Sequence, residues 1–456
     1  MAKKNEIIDG LIEKVKFPNK GIMYIEEERI PVLVPDTFPG QKVRVRLQRK
    51  RKGTWEGRAL EHLENPAHFV KPSCEYFGLC GGCAMQHLSY ENQLEHKHEQ
   101  VQTLLQNAGV TGYEDMGILG SPSEWAYRNK MEFSFGDACK DGPMTLGMHR
   151  KNSTFDIITV DGCKIVDEDF NMILRFVLRY AQSFNLPFYK KKIHEGFLRY
   201  LIVRRSETTG DLLINIVTTT QRDFDFTELA NYLVDLGTKG KIAGILHTYS
   251  DTLADAVKPD STRVLYGKDA FTETILGLQF NISPYSFFQT NTKGAELLYK
   301  TALDMPQDIT SKVVFDLYSG TGTIAQIMAT KAKEVYGIEI VEEAVEKAKE
   351  NAKLNDLTNC HFVAGDVLKE VENFHVKPEL IVLDPPREGI HPKAIDKIIG
   401  FDAKELLYIS CKPTSLARDL PVFEQSGYKV EKVCCVDMFP HTHHVETVCL
   451  MSRKEK

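Results

Sequence analysis

The sequence contains no long hydrophobic run, and its first residues lack the apolar core of a signal peptide. Its longest apolar stretches have the length of a β-strand, far below the ~18 residues that suggest a membrane-spanning helix. The N-terminal stretch MAKKNEIIDGLIEKV is charged throughout. We therefore predict a cytoplasmic protein that has no membrane partner, and we expect it to be a monomer.

An overall positive charge is also lacking, because the net charge of the 456-residue chain is −6. Residues 42–58 are a local exception, since they carry eight Lys or Arg residues and one acid. Within them, KVRVRL alternates apolar and basic residues, which predicts a strand with one apolar and one basic face. A basic face on an acidic chain favours a docking surface for phosphates over a merely solvated strand.

The chain shows no internal repeat, and its length predicts roughly three domains. Short strands and turns in residues 1–65 predict a small five-stranded barrel of the OB type. Residues 66–270 are predicted to form an α+β domain with helices near 91–108 and 167–184. In residues 271–456, apolar strands alternate with helices, which predicts an α/β domain whose parallel sheet is covered on both faces.

A nucleoside site is predicted at the ends of the first three strands of this α/β domain. In FDLYSGTGT, Gly320 and Gly322 allow the backbone to approach a ligand closely. Glu339 ends the next strand, 17 residues after Gly322, and Asp366 ends the third. The ligand could be NAD or S-adenosylmethionine. The absence of a third glycine favours S-adenosylmethionine, because no pyrophosphate has to be bound.

The fourth strand ends in IVLDPPREGIHP, residues 381–392, which resembles the Asp-Pro-Pro-aromatic signature of amino-methyltransferases. Arg387 stands where that signature has an aromatic ring. This replacement disfavours a planar amine as methyl acceptor and favours an acceptor embedded in phosphate.

Cys411 ends the fifth strand, next to the strand that carries Asp384. We expect a helix N-terminus, Lys412 and Arg418 to lower the pKa of its thiol. A thiolate that adds to carbon 6 of uracil makes carbon 5 able to attack a sulfonium methyl group. The alternative is that Cys411 is a small core residue.

Such a reaction also needs a base that removes the carbon 5 proton before the thiol leaves. The stretch FPHTHHVE offers Glu446 at the start of the final strand. The alternatives in the preceding turn are His441, His443 and His444.

Taken in order, these motifs resemble the RNA uracil-5 methyltransferases that use S-adenosylmethionine. This resemblance implies a C-terminal Rossmann-like class I methyltransferase domain with Cys411 as nucleophile and Glu446 as general base. The matching stretches are FFQTN, DLYSGTGT, GIE, DPPREGIHP, YISCKPTSLARDL and FPHTHHVE. The implied cofactor contacts are Gln289, Tyr318, Glu339, Asp366 and Asp384.

The resemblance extends to residues 1–63, which look like the TRAM domain of the ribosomal RNA branch of this family. We expect the transfer RNA branch to lack both this barrel and the cysteine cluster described next. The resemblance therefore implies 23S ribosomal RNA as the substrate. The alternatives are the same chemistry on transfer RNA, and a non-catalytic RNA-binding or ribosome-assembly factor.

Three cysteines are clustered in CEYFGLCGGC, and metal binding by such a set requires a fourth ligand. Four thiolates suit either zinc or an iron–sulfur cluster. The family resemblance implies a [4Fe–4S] cluster of structural role on Cys74, Cys80, Cys83 and Cys163. Cys139 is the rival fourth ligand.

The central segments YRNKMEF and FLRYLIVRR also resemble family segments. Their Arg128, Asn129 and Arg204 either contact RNA or belong to the scaffold, and the sequence favours neither interpretation.

Overall fold

A computed structural model describes residues 2–25, 29–366 and 376–454 of the chain. Within these ranges the strands form three large sheets and one two-stranded hairpin. None of the described helices is long and apolar enough to cross a membrane.

The N-terminal residues form one sheet with the strand order β1-β5-β6-β4-β3-β2. Its strands are Ile7–Leu11 (β1), Lys14–Lys16 (β2), Lys20–Ile25 (β3), Ile30–Pro35 (β4), Lys42–Arg51 (β5) and Thr54–Glu64 (β6). The expectation of five strands is therefore wrong by one, because β2 has only three residues and is too short to show a periodic pattern. As predicted, the apolar residues of β5 are fully buried: Val43, Val45 and Leu47.

The central sheet has the order β10-β9-β8-β11-β12-β13-β14. Ahead of it in the chain come helix Tyr90–Asn107 (α1) and strand Glu114–Leu119 (β7). The sheet itself consists of Lys130–Asp137 (β8), Met144–His149 (β9), Ile157–Thr159 (β10), Leu198–Arg205 (β11), Leu212–Thr218 (β12), Ile242–Tyr249 (β13) and Ser261–Gly267 (β14). Helices Glu168–Ser183 (α2) and Thr227–Val234 (α3) pack against it. Both α1 and α2 lie within one residue of their predicted bounds.

The C-terminal part begins with hairpin strands Phe271–Ile275 (β15) and Leu278–Ile282 (β16) and helix Thr292–Asp304 (α4). Alternating elements follow: Val313–Leu317 (β17), Thr323–Ala329 (α5), Glu334–Glu339 (β18), Glu342–Leu354 (α6), Cys360–Ala364 (β19), Leu380–Leu383 (β20), Pro392–Gly400 (α7), Glu405–Ser410 (β21), Pro413–Gln425 (α8), Tyr428–Val436 (β22) and Glu446–Arg453 (β23).

The strand order of this sheet is β19-β18-β17-β20-β21-β23-β22-β7. Strands β17 to β21 run parallel, whereas β23 is antiparallel to both of its neighbours. One face packs on the hairpin, α4, α5 and α6, and the other face packs on α1, α7 and α8. The α/β prediction is therefore confirmed, and the carboxyl ends of the parallel strands share one edge, where ligands bind in such sheets.

The segment 90–119 departs from its predicted place in the central domain. Strand β7 pairs in parallel with β22 at the edge of the C-terminal sheet, and α1 packs on that sheet's face. A buried ion pair holds the helix there, since Lys97 Nζ lies 2.6 Å from Asp437 Oδ1. The same Nζ donates to the Phe439 carbonyl oxygen at 3.2 Å. The sequence-based prediction assigned this segment to the domain that follows it in the chain. It could not identify the partner strand, which lies more than 300 residues downstream.

We predict that Lys97→Met lowers the free energy of unfolding by about 3–5 kcal/mol, because Asp437 is left as a buried charge without its partner. Chemical denaturation followed by circular dichroism measures this. The double variant Lys97→Met/Asp437→Leu should recover most of the loss. The matched control Lys331→Met breaks the exposed pair with Asp304 and should change stability by less than about 1 kcal/mol. A loss at Lys97 no larger than this control would contradict the anchoring role.

Candidate active site

The loop after β17 is fixed by the side chain at the end of β18. Glu339 Oε2 accepts the Gly320 N–H at 3.0 Å, and its Oε1 accepts the Val341 N–H at 3.0 Å. Gly320 has φ +54 and faces open space, since a Cβ there would meet nothing within 4 Å. Gly322 has φ +79, and a Cβ there would lie 2.6 Å from the Phe362 ring. The first glycine leaves room for a ligand, and the second allows close packing.

Tyr318 and Asp366 border the same loop. Tyr318 adopts φ +73, a left-handed conformation that non-glycine residues seldom adopt outside strained or functional sites. Burial, followed by the charge of Asp366, raises the pKa of the Tyr318 hydroxyl to about 12. Beside Glu339, the apolar side chains of Ile340 and Val341 are 69% and 53% exposed. These residues form an edge with apolar and hydrogen-bonding groups side by side.

Asp316 at the end of β17 is fully buried, and neither carboxyl oxygen has a hydrogen-bond partner of normal geometry in the described part of the chain. Burial, and then the nearby Asp384, raises the pKa of Asp316 well above its ordinary value. Burial also raises the pKa of Asp384 to about 7. The Ala325 backbone N–H opposes the rise at Asp316, and the remaining hydrogen-bonding capacity of this buried carboxyl can accept a donor from a ligand bound at this edge.

Strand pairing brings Cys411 and Glu446 together. Ser410 pairs with Thr447 in the antiparallel β21–β23 ladder. Cys411 follows Ser410 and Glu446 precedes Thr447, so the two residues flank the last pair of the ladder. The charge of Glu446 raises the pKa of the Cys411 thiol, as expected for near neighbours. Cys411 and Glu446, the two residues predicted to be catalytic, therefore lie near each other at the carboxyl edge of the sheet.

The pKa of the Cys411 thiol is raised to about 11, not lowered as the sequence led us to expect. Burial is the largest cause, followed by the charges of Glu446 and Asp384, while Arg387 opposes them. Arg418 does not counter this rise, because it pairs with Asp419 and donates to the Glu388 carbonyl oxygen. The expectation failed because burial of the thiol, reinforced by two carboxyl groups distant in sequence, outweighs the neighbouring cations.

Glu446 is 5% exposed, and burial together with Asp384 raises its pKa to about 8. The three alternative bases are less suited at neutral pH. Burial lowers the pKa of His441 and of His444 to about 4 and also lowers that of His443. A group of higher pKa is the stronger proton acceptor once ionised, and among these four groups that is Glu446.

Sequence reasoning missed Tyr299 on α4. Its buried hydroxyl hydrogen-bonds the side chain of Gln289 and is influenced by Asp384, Glu446 and Asp316, in that order. Its helical spacing with apolar neighbours predicts only a core residue. No local signal marks the hydroxyl, because its polar neighbours come from separate strands.

The four cysteines of the proposed metal site line one cavity of about 290 Å³: Cys74, Cys80, Cys83 and Cys163. Burial raises the pKa of Cys83 to about 12 and that of Cys163 to about 11. Within residues 2–25, 29–366 and 376–454, no group of three His, Cys, Asp or Glu side chains lies close enough to hold a single metal ion. Cys139 is exposed and does not line this cavity.

The cysteine loop is attached to the segment that precedes Glu446. The N–H groups of Ala84 and Met85 donate to the His441 carbonyl oxygen at 2.7 and 2.9 Å. The His441 N–H in turn donates to Gln93 Oε1 at 2.8 Å. The ring of His441 also stacks on Trp125 at 3.8 Å between centroids. His441, in the loop before β23, thus contacts both the cysteine loop and helix α1.

The basic face of β5 is partly compensated by its neighbouring strands. Arg44 binds both carboxyl oxygens of Asp9 at 2.9 Å and pairs with Glu61 at 3.0 Å. Arg49 pairs with Glu56. The cations at the β5–β6 turn are exposed and form no ion pair with a described residue: Lys50, Arg51 and Lys52. Arg46 and Arg58, which pair across β5 and β6, are also exposed and form no ion pair with a described residue, so uncompensated positive charge lies along the strands as well as at the turn.

Comparison with known proteins identifies the family. The model of the tRNA (uracil-5-)-methyltransferase family matches residues 89–454. An uncharacterized RNA methyltransferase of Clostridium acetobutylicum is 49% identical over 454 residues, covering 100% of this chain and 99% of its own. One from Bacillus cereus is 34% identical over 466 residues, covering 100% and 98%.

Among solved structures, the Pyrococcus abyssi tRNA (uracil-54, C5)-methyltransferase in complex with S-adenosyl-L-homocysteine superposes with a TM-score of 0.76. It is 25% identical and covers 97% of this chain and 100% of its own. This match supports the predicted class I methyltransferase fold and the S-adenosylmethionine cofactor. The chain therefore belongs to the tRNA (uracil-5-)-methyltransferase family and is an S-adenosylmethionine-dependent RNA methyltransferase.

Proposed function

We propose that the protein transfers a methyl group from S-adenosylmethionine to carbon 5 of a uridine in 23S ribosomal RNA through a covalent Cys411 adduct. The observation that supports this proposal is the β21–β23 register, whose last pair is flanked by Cys411 and Glu446, together with the effect of the Glu446 and Asp384 charges on the Cys411 thiol. A thiol and a carboxyl close together at a ligand-binding edge suit a reaction that needs a nucleophile first and a base afterwards.

In the proposed mechanism, the Cys411 thiolate adds to carbon 6 of the uracil and forms a C–S bond. When bound, S-adenosylmethionine would supply an electrophilic methyl group to carbon 5, with S-adenosylhomocysteine as the leaving group that keeps the electron pair of the broken methyl–sulfur bond. Glu446 then removes the proton from carbon 5. The electron pair of that C–H bond restores the 5,6 double bond as the C–S bond breaks, and Cys411 leaves as a thiolate.

The surroundings of Cys411 favour the protonated thiol before substrates bind. Its pKa of about 11 and the raised pKa values of Asp384 and Glu446 show that these surroundings disfavour negative charge. A sulfonium and the Arg387 guanidinium would each favour the thiolate form. Nucleophile activation is thus coupled to methyl-donor binding.

For the methyl donor, we propose contacts with Gln289, Tyr318, Glu339, Asp366 and Asp384. The open space at Gly320, the exposed apolar residues after Glu339 and the buried carboxyl of Asp316 support this assignment. Glu339 is held by two backbone N–H groups, so its position is set before a ribose arrives.

For the substrate, we propose that residues 1–65 form an RNA-binding domain of the TRAM type and that residues 66–270 form the central domain. The exposed cations at the β5–β6 turn support phosphate binding there. Transfer RNA is the second candidate substrate. It is favoured because a tRNA (uracil-54, C5)-methyltransferase superposes on 97% of this chain, so an N-terminal domain does not by itself exclude transfer RNA.

We propose that Cys74, Cys80, Cys83 and Cys163 hold a [4Fe–4S] cluster. A single zinc ion with Zn–S bonds of about 2.3 Å would draw four thiols into close contact, whereas a cluster takes four thiolates spread around a cavity. The shared cavity supports the second arrangement. The role is structural, because the same loop holds the His441 carbonyl oxygen.

The substrate is tested with isotopically labelled S-adenosylmethionine, 23S ribosomal RNA from a strain that lacks the gene, and unmodified transfer RNA. We predict one or more 5-methyluridines in the ribosomal RNA by mass spectrometry. Cys411→Ala should abolish transfer but keep methyl-donor binding, whereas the exposed control Cys139→Ala should be active. Methylation of transfer RNA alone would establish the second candidate, and methylation of neither RNA would refute the enzymatic proposal.

We predict that Glu446→Gln accumulates a protein–RNA complex that already carries the new methyl group and survives denaturing electrophoresis. Glutamine keeps the shape of the side chain but cannot accept the proton. In the wild-type protein, release of this complex should speed up as pH rises towards about 8, because the carboxyl is protonated below its raised pKa. The exposed control Glu388→Gln should release product normally. Normal turnover of Glu446→Gln would place the base elsewhere.

Protein purified without oxygen should contain about four irons per chain. Cys163→Ser should lose most of this iron, because it removes one of the four cavity thiols, whereas Cys139→Ser should retain it. Iron analysis and the visible absorption spectrum measure both. Stoichiometric zinc without iron would refute the cluster, and retention of iron in Cys163→Ser would exclude Cys163 as a ligand.

A further inference from the structure

The loop between β16 and α4 carries Gln289, and the central domain holds this loop from outside. Asn129 Nδ2 donates to the Gln289 carbonyl oxygen at 3.1 Å and to Thr292 Oγ1 at 2.8 Å. The Asn129 N–H also donates to the Thr290 carbonyl oxygen at 2.8 Å. The side chain and the backbone of Asn129 thus hold three of the four positions 289–292.

Asn129 is itself fixed by the central sheet. Its carbonyl oxygen accepts the N–H of Arg205, the last residue of β11, at 2.9 Å. Next to it, the buried Arg204 donates to the Ser286 carbonyl oxygen, so the β11 end holds the same loop a second time. Both side chains therefore bind main chain inside the protein, and so does Arg128, which donates to the Lys130 carbonyl oxygen at 3.0 Å. These contacts favour the scaffold interpretation over RNA contact.

The hydrogen bonds of Asn129 continue to a buried carboxylate. Thr292 Oγ1, which accepts from Asn129, donates to Glu273 Oε2 at 3.1 Å. Glu273 is 1% exposed and also accepts the Glu207 N–H at 2.7 Å. Hydrogen bonds that end on a charged group are stronger and more directional than neutral ones. The Asn129 amide is therefore held in one orientation, with its donors aimed at Gln289 and Thr292.

On the opposite side from Asn129, the Gln289 side chain hydrogen-bonds the Tyr299 hydroxyl. The charges of Asp384, Glu446 and Asp316 act on this hydroxyl. A shift of the Gln289 peptide would move this amide away from Tyr299. We infer that Asn129 is a positioning residue of the central domain that sets Gln289 for binding the methyl donor. The inference rests on the proposed function, in which Gln289 contacts S-adenosylmethionine.

The test is calorimetric titration of the full-length protein with S-adenosyl-L-homocysteine, which needs no RNA. We predict that Asn129→Ala weakens binding about tenfold, as loss of a well-placed hydrogen bond does. Gln289→Ala should weaken binding at least as much. In the double variant the two losses should not add, because Asn129 acts through Gln289. A merely structural defect would lower affinity additively.

Ser206→Ala is the matched control, because Ser206 contacts Glu273 at the same domain interface but does not contact Gln289. It should leave the affinity unchanged. Where Asn129→Ala fails to fold, Asn129→Asp keeps the size of the side chain but presents oxygens to the Gln289 carbonyl, and it should weaken binding likewise.

The outcomes separate this inference from the proposed function. Unchanged affinity in Gln289→Ala would refute the proposed contact and the inference together. Weakened binding in Gln289→Ala with unchanged binding in Asn129→Ala or Asn129→Asp would overturn the inference alone. Additive losses in the double variant would also overturn it.

Discussion

The buried ion pair between Lys97 and Asp437 is the contact on which the arrangement of the catalytic edge depends. Transfer of either charge into the protein interior is costly, and only pairing and additional hydrogen bonds compensate that cost. Both needs are met when Lys97 also reaches the Phe439 carbonyl oxygen and Asp437 accepts the Phe439 N–H. Few placements of α1 satisfy all of these contacts, so the pair selects one position for the loop that leads to Glu446.

From this loop, contacts spread to two other parts of the molecule. The His441 carbonyl oxygen receives the cysteine loop, and the cavity of the four cysteines is also lined by Arg387 and His444. Arg387 opposes the rise in pKa at both Cys411 and Glu446. The cysteine loop therefore shares Arg387 as a neighbour with Cys411 and Glu446, although more than 300 residues separate the loop from these two residues in the sequence.

The sequence was informative where function depends on one local stretch. The glycine turn and the strand-end acids lie at the strand ends where the sequence predicted them, because each strand ends in a recognisable motif. The catalytic roles of Cys411 and Glu446 stay predictions. Effects that arise between distant segments could not be predicted from the sequence. The raised pKa of Cys411, the role of Asn129 and the pairing of Arg44 with Asp9 each require knowledge of which strands are neighbours. The N-terminal domain is also weaker evidence against a transfer RNA substrate than the sequence suggested, because a transfer RNA methyltransferase superposes on 97% of this chain.

The position of β7 at the edge of the C-terminal sheet has a consequence for how the chain reaches its folded state. Lys97 leaves the ribosome 340 residues before Asp437, so α1 and β7 emerge long before the sheet that they complete. Contacts at such separations close large loops, which slows folding. A fragment that begins at residue 271 would expose the β22 edge and leave Asp437 without Lys97. The methyltransferase fold is thus discontinuous in the chain, and the N-terminal segments must wait for the last strands to be synthesised.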